Sequence, residues 1–351
     1  MTEMVDWDLA VATAGRLAGG GPSATYAEAA EVVANLRRAT DESEVHVQDF
    51  THLTARVKHP PVCVVDRADW ADVNVAGFRA VLGPLTTKLI SHQGAAPGAI
   101  VTAVGSRITG LQVGGILAFL AGKVLGQYEV FSGAPGQLLL VAPNIVAAER
   151  SLDVDPHDFR LWVCLHEVTH RTQFTAVPWL RDHFIAEVSA FMDAADPNAM
   201  TERLFSAVGQ VARAVRELDS EISIIDLVQT PSQKIILDRL TALMTLVEGH
   251  AEYVMNGVGP MVVPSVEAIH EKFQLRRAGT GPFDRALRRL LGIDVKMKQY
   301  AEGSRFVAAV VEQIGMDGFN QVWRSPDTLP TAAEISDPPA WIERVHGIHA
   351  S

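Results

Sequence analysis

Residues 161–174 read LWVCLHEVTHRTQF and contain the pattern H-E-x-x-H at His166, Glu167 and His170. Apolar residues in this stretch are spaced as on a buried helix. Residues four apart lie one above the other on one face of a helix, so both imidazoles can point at one ion. Two neutral histidines suit Zn²⁺, which lowers the pKa of a bound water toward neutrality. Glu167 lies beside them and can take the proton of that water, so the stretch predicts a helix for metal-dependent hydrolysis.

Chance is a weak explanation for this pattern. With 12 histidines in 351 residues, H-E-x-x-H is expected by chance roughly 0.02 times per chain. The surrounding apolar, helical context lowers that expectation further.

Composition restricts the class of protein. A hydrophobic content of 48% supports a sizeable core, and a charged content of 20% argues against general disorder. The net charge is −11, and no run of basic residues is longer than the pairs at 276–277 and 288–289. Nucleic acid and anionic lipid are therefore not expected as partners. Two cysteines, Cys63 and Cys164, imply no disulfide framework and fit a reducing cytoplasm.

The N-terminal residues and the most apolar stretch both favour a soluble protein. Glu3, Asp6 and Asp8 precede the first basic residue, Arg16, which is the reverse of a secretory signal. Residues 108–122 are apolar, but a membrane-spanning helix needs about 20 such residues. We expect a cytoplasmic protein that does not bind membranes.

Most of the chain has helical patterns, and two short stretches have strand patterns. Strands are predicted at residues 62–65 and at Gln137–Val141. The second could pair with an extended peptide if it lies at a sheet edge, or it could be an ordinary core strand. Helices are predicted at 26–38, 45–57, 66–82 (with Trp70 and Phe78 facing inward), 179–194, 200–218, 232–256, 265–277, 283–291 and 303–314. The tail at 325–339 is expected to wrap the surface, held by Trp323 and Trp341.

Residues 106–127 carry a small residue at every fourth position, which predicts a helix with a strip almost free of side chains. Another backbone can approach such a strip closely. The small residues are Gly110, Gly114, Ala118, Gly122 and Gly126.

A catalytic zinc needs a third protein ligand. The extended pattern H-E-x-x-H-x-x-G-x-x-H is excluded because Gln173 and Ala176 replace its last glycine and histidine. Glu248 is the preferred ligand, since a carboxylate among apolar neighbours on a helix is costly unless it is paired or metal-bound. Glu187 is the alternative. Glu252 lies one turn after Glu248 and is expected to orient a metal-binding histidine through its free ring N–H.

Several polar residues near these glutamates have more than one interpretation. Glu248 and Glu252 could instead line a solvated stripe. His250 lies about 200° round the helix from the two glutamates, which favours a core or partner-binding histidine. Tyr253 and His183 could donate to a transition-state oxyanion or could simply pack.

The pairing of HEVTH with the later EGHAE resembles the gluzincin branch of zinc metallopeptidases. That resemblance implies a third ligand from the glutamate of an E-G-x-A helix, here Glu248, with a histidine-orienting residue one turn later, here Glu252. More widely, the chain is similar to a bacterial zincin-like metallopeptidase family, sometimes labelled as associated with deazaflavin-coenzyme biosynthesis. The similar motifs are VVDRADW, VLGQYEVF, LLLVAPNI, LHEVTHRTQF, VPWLR, LVEGHAEYVM, LPTAAEI and PPAWIERV.

Together these features predict an α+β, predominantly helical, zincin-like fold with a small mixed sheet next to the metal-binding helix. We expect one zincin-like unit over 1–351, with an N-terminal lobe at 1–150 and a helical lobe at 151–351. The expected function is a zinc-dependent hydrolase, in particular a peptidase acting on peptides or small amides. A catalytically inactive binding or regulatory protein of the same fold, and hydrolysis of a non-peptide amide or ester, are the competing hypotheses.

Overall fold

The computed structural model describes residues 4–56, 58, 61–92, 99–194, 231–278 and 293–347. Two compact units divide the chain: Met1–Pro178 with Gly257–His270 form unit 1, and Trp179–Asn256 with Glu271–Ser351 form unit 2. The helices are α1 (Trp7–Leu17), α2 (Tyr26–Thr51), α3 (Arg67–His92), α4 (Ala99–Ala121), α5 (Ala142–Leu152), α6 (Pro156–Ala176), α7 (Leu180–Asp193), α8 (Pro231–Val262), α9 (Val266–Ala278), α10 (Ile293–Phe319), α11 (Ala332–Ser336) and α12 (Pro338–His346). The predicted helices at 200–218 and 283–291 lie outside the described residues.

Unit 1 contains a three-stranded mixed sheet of β1 (Cys63–Val65), β2 (Gly126–Glu129) and β3 (Gln137–Val141). The strand order is β1-β3-β2, with β3 parallel to β1 and antiparallel to β2. Four of the five residues of β3 are buried, as expected for a central strand of aliphatic residues. The predicted small mixed sheet is confirmed, and β3 is an ordinary core strand.

The predicted strip of small residues on a helix is confirmed at Gly110 and Gly114. The predicted continuation of that helix to Gly126 is wrong. A Cβ placed on Gly114 would lie 2.6 Å from the carbonyl oxygen of Ala10, and one on Gly110 would collide with the backbone of Asp6, so α1 packs directly on α4. The helix then ends at Ala121, and Gly126 begins β2 instead of a further turn.

The end of α4 has a local and a long-range cause. Lys123 N–H bonds to the carbonyl of Leu120, which tightens the last turn to three residues. Beyond it, the carbonyl of Leu125 accepts a hydrogen bond of 2.8 Å from Val141 N–H of β3. Because the chain leaves the helix here, its backbone can pair with the buried strand β3. If α4 continued, backbone N–H and C=O groups of β3 would lose these hydrogen-bond partners.

The N-terminal helices are longer and more regular than the sequence pattern predicted. The stretch 41–43 was expected to separate two helices, but α2 continues through it. Thr40 donates its hydroxyl to the carbonyl of Leu36 one turn earlier, so this polar residue is accommodated inside a continuous helix. Ser43 is fully buried in the same helix. In α3, Trp70 is 3% exposed as predicted, whereas Phe78 is 43% exposed and the inward prediction for it is wrong.

Unit 2 contains the C-terminal elements, including 3-10 helices at Asn320–Trp323 and Pro326–Thr328. Trp341 is fully buried and donates its indole N–H to the carbonyl of Thr328 at 2.9 Å. Trp179 donates in the same way to the carbonyl of Trp323 at 2.9 Å. The predicted anchoring of the tail by Trp341 is confirmed, whereas the ring of Trp323 packs against His250 and Phe319. Across the parts of the chain that the structure describes, no helix is both long enough and apolar enough to span a bilayer.

Candidate metal and catalytic site

The metal-binding helix predicted from H-E-x-x-H is α6, a buried helix of 21 residues. Asp155 caps its N-terminus by accepting a hydrogen bond of 3.0 Å from Asp158 N–H, and Pro156 occupies the first turn, where no N–H partner is needed. The helix ends where Val177 adopts an extended backbone before Pro178. The sequence pattern predicts a start near Asp155 or His157 and an end at Val177-Pro178, and both boundaries are confirmed.

Two ion pairs with neighbouring helices hold α6 in place. Arg160 makes a two-pronged contact with Glu149 of α5, at 2.9 and 2.6 Å, and both side chains are buried. Arg171 contacts Glu44 of α2 at 3.1 Å. Burial alone lowers the pKa of Arg171, and the nearby carboxylate of Glu44 opposes that effect. These pairs fix the helix on both sides of the histidines.

A third contact ties the start of α6 to a distant part of the chain. The carboxylate of Asp158 accepts hydrogen bonds from Ser265 N–H at 3.0 Å and from the Ser265 hydroxyl at 2.6 Å. Burial alone would raise the pKa of Asp158, but the bonds from Ser265 and the proximity of His157 outweigh it and lower the pKa. Asp155, His157 and Asp158 also have ligand-type atoms within 4.8 Å of one another. Both carboxylates of this group are already engaged: that of Asp155 caps the helix, and that of Asp158 accepts hydrogen bonds from Ser265.

The two histidines of α6 direct the same ring nitrogen at a common point. Their Nε2 atoms lie 3.2 Å apart, and the rings meet edge-to-face with centroids 4.8 Å apart. Two nitrogens bound to one tetrahedral zinc at about 2.0–2.1 Å lie about 3.3–3.4 Å apart. His170 is 8% exposed and His166 is half-buried, which leaves an approach on one side. His166 and His170 therefore fit a single zinc ion.

Gln173 orients His170 and was not recognised from the sequence. Its side-chain oxygen lies 3.0 Å from Nδ1 of His170, and the residue is completely buried. When this oxygen accepts the Nδ1–H, the lone pair of His170 is on Nε2, the nitrogen that faces His166. The sequence signal was the spacing of three residues on one helix, but Gln173 had been considered only as the residue that replaces a glycine.

Glu167 lies at the junction of the helix and the sheet. It is 8% exposed, and its side chain lies against Gly126, the first residue of β2. The sheet therefore lies next to the metal-binding helix, as predicted. Three residues before Glu167, Cys164 is fully buried with its sulfur 3.7 Å from the hydroxyl of Thr40, and burial raises the pKa of this thiol to about 12. Cys164 is thus an inert core residue.

Glu248 and Glu252 belong to unit 2, where they lie one turn apart on α8. Both are half-buried, while Leu246, Val247 and Ala251 between and beside them are buried. The residue after Glu248 is Gly249, which has no side chain and so allows α8 to pack closely on α10. A Cβ on Gly249 would collide with the backbone of Gly303. The glutamates therefore occupy the partly open face of a tightly packed helix.

Two histidines of this region, His250 and His183, lie against aromatic rings. His250 is fully buried and stacks on Phe319 with ring centroids 5.3 Å apart, and it meets Trp323 edge-on at 5.5 Å. This confirms the core interpretation of His250. His183 packs edge-on against Trp179 with centroids 5.7 Å apart. Burial raises the pKa of Tyr253, which keeps its phenol protonated.

Glu187, the alternative third ligand, is engaged within unit 2. One oxygen of its carboxylate accepts from Nε of Arg239 at 3.0 Å and from Nη2 at 2.8 Å. A carboxylate held by a guanidinium is a poorer candidate for a metal ligand, because the ion pair must be broken before it can bind a metal.

Comparisons with known proteins agree with this geometry. A family profile described as zincin-like metallopeptidase matches residues 5–342. A crystal structure from Chloroflexus aurantiacus, described as "a putative hydrolase with a novel fold", has 30% sequence identity to the chain. The match covers 97% of this chain and 98% of that one, with a TM-score of 0.68. No curated protein matches. Both matches support a hydrolase, and the chain belongs to the zincin-like metallopeptidase family.

Proposed function

We propose that this protein is a zinc-dependent peptidase. The observation that carries the proposal is the 3.2 Å approach of the two Nε2 atoms of His166 and His170, with Glu167 between them in sequence on a buried helix. A buried and a half-buried histidine that direct their Nε2 atoms at one point, with one ring oriented by an amide, match the requirements of a catalytic zinc site.

Glu248 is the third zinc ligand in this proposal. The contrast with Glu187 supports it: Glu248 is half-buried among apolar neighbours, whereas the carboxylate of Glu187 is already held by Arg239. Glu252 has the role of orienting a metal-binding histidine, in addition to the hydrogen bond that Gln173 makes to His170.

Glu167 is the general base. Bound zinc supplies a Lewis acid that polarises a carbonyl and lowers the pKa of water. Glu167 accepts a proton from the attacking water and returns it to the leaving nitrogen when the amide bond breaks. Because Glu167 is largely screened from solvent, its charge acts in a medium of lower dielectric constant than water. Gln173 keeps His170 in the tautomer that leaves Nε2 available.

The substrates are peptides or small amides, and the protein acts in the cytoplasm. The net charge of −11 and the absence of long basic runs in the sequence do not favour nucleic acid or anionic membranes as partners. Cys63 and Cys164 are both free thiols, which suits a reducing compartment.

Metal content per chain tests the site. Wild-type protein is expected to hold about one zinc, and His170→Ala and Glu248→Ala are expected to lose it. Glu187→Ala is the matched control and should keep its zinc. Zinc that is absent from wild type after reconstitution, or retained by Glu248→Ala, contradicts the proposed ligand set.

Hydrolysis tests the general base. Glu167→Gln keeps the size of the side chain but cannot accept a proton. It should retain zinc and lose hydrolysis of a fluorogenic peptide mixture by about 10²–10⁴-fold. Undiminished turnover by this variant would exclude Glu167 as the base. If the zinc-loaded wild type hydrolyses small amides or esters but no peptide, these compounds replace peptides as the proposed substrate class.

A further inference from the structure

Gly126 has no side chain, and the carboxyl group of Glu167 lies in the space that a side chain at position 126 would occupy. A Cβ placed on Gly126 would lie 2.6 Å from both Cγ and Cδ of Glu167 and 2.9 Å from Oε1. Carbon atoms that are not bonded to one another are in ordinary contact at about 3.5–4.0 Å. Any side chain at position 126 therefore competes with the Glu167 side chain for the same volume.

The backbone conformation of position 126 does not require glycine. Its φ lies outside the left-handed region, in contrast to Gly136, whose φ of 97° disfavours other residues. Glycine also weakens a strand, because it adds entropy to the unfolded chain and has no side chain to pack. Close approach of Glu167 is thus the structural feature that accounts for a glycine at the start of β2.

The strand cannot move away to accommodate a methyl group. Gly126 pairs with Leu140 of β3, which is fully buried, and the preceding carbonyl of Leu125 accepts from Val141 N–H at 2.8 Å. On the next residue, the side-chain amide of Gln127 makes a reciprocal pair with that of Asn74, at 3.0 and 3.2 Å. The backbone is fixed on both sides of position 126.

The helix cannot move away either. Arg160 and Arg171, seven residues before and four residues after Glu167, are paired to Glu149 and Glu44 on neighbouring helices. The Glu167 side chain is the flexible partner, so a methyl group at position 126 would be relieved mainly by rotation of its carboxyl group away from its present position.

We propose that Gly126 is a positioning residue for Glu167: by having no side chain, it lets the carboxylate lie where it can accept a proton. The catalytic consequence rests on the proposed function, whereas the steric relation between the two residues does not. Displacement of a catalytic group by about 1 Å is enough to lower a rate by about 100-fold.

A double-mutant cycle in thermal stability tests the steric relation without any substrate. Gly126→Ala and Glu167→Ala are made singly and together in the full chain, with equal zinc supplied to all proteins. Gly126→Ala should lower Tm by about 2–6 °C in the wild-type background. In the Glu167→Ala background the same substitution should leave Tm unchanged or raise it slightly, because the three colliding atoms are gone and alanine lowers the entropy of the unfolded chain. Equal shifts in both backgrounds would overturn the proposal.

Activity and metal content test the positioning role. Gly126→Ala should keep about one zinc per chain and show about 100-fold lower kcat on a fluorogenic peptide mixture, with KM changed by less than about threefold. Gly115→Ala is the control, since a Cβ on this helical glycine of α4 meets nothing within 4 Å. An unchanged kcat for Gly126→Ala in an active wild-type background would refute positioning. If wild type hydrolyses nothing and the stability coupling is present, the contact is supported and the proposed function fails.

Discussion

Helices α6 and α8 each contain a buried histidine, and the two residues have different surroundings. His170 on α6 is 8% exposed and has polar contacts with His166 and Gln173 at both ring nitrogens. His250 on α8 is fully buried and lies against the rings of Phe319 and Trp323. Burial alone does not distinguish a metal ligand from a core residue. Polar neighbours that fix the tautomer and direct the other nitrogen at a second histidine are the informative feature.

Alanine substitution of each histidine tests this comparison most directly. His170→Ala should abolish zinc binding and leave the fold intact, because it removes one of the two converging nitrogens. His250→Ala should keep about one zinc per chain and lower the free energy of unfolding by about 3–5 kcal/mol, as for truncation of a buried aromatic ring. Zinc content and denaturant unfolding measure both effects. A folded His250→Ala protein without zinc would contradict the comparison.

Removal of the Gln173 hydrogen bond should have an intermediate effect. Gln173→Leu keeps a side chain of similar size and removes the oxygen that fixes the His170 tautomer. Loss of such an orienting partner lowers metal affinity by about 10–100-fold. Competition with a chelator of known affinity measures the change, and Gln173→Glu, which retains an acceptor oxygen, should recover most of the binding. Equal zinc affinity for wild type and Gln173→Leu would show that the tautomer is set elsewhere.

The smallest expected effect concerns the start of α6, which Ser265 anchors. Ser265→Ala removes the 2.6 Å hydroxyl contact to Asp158 and should cost about 1 kcal/mol of stability at pH 7. Because the pKa of Asp158 is lowered in the folded protein, this stabilisation is complete above the ordinary carboxyl pKa of 3.8. It is lost as pH falls through the lower folded value. Unfolding curves of the two proteins should therefore converge below about pH 4; a difference independent of pH would assign the effect to packing.

The sequence predicted the elements that short-range chemistry determines. Two histidines four residues apart lie on the same face of a helix, so the H-E-x-x-H motif predicted the helix α6. The cap at Asp155 and the extended Val177 before Pro178 set its ends, and both are local signals. The aliphatic run of β3 was likewise sufficient to predict a strand.

Features that depend on distant parts of the chain were missed. Glycines at every fourth position fit a helix up to Gly126, but pairing with β3 converts the last of them into the start of a strand. The role of Gly126 beside Glu167 became visible only when strand and helix were placed together. Glu248 as third ligand and the division into lobes near residue 150 stay predictions, since each concerns an arrangement beyond a single unit.

The bond between Asp158 and Ser265 has a consequence for synthesis of the protein. Unit 1, which carries His166 and His170, is discontinuous in the chain, because it includes Gly257–His270, which follows the first segment of unit 2, Trp179–Asn256. On the ribosome, domains fold as their residues emerge, at about 5–20 residues per second. Unit 1 cannot close until residue 265 has left the exit tunnel, so a nascent chain stopped before that point lacks the complete framework of the histidine site. Catalytic competence is thereby tied to translation of most of the message.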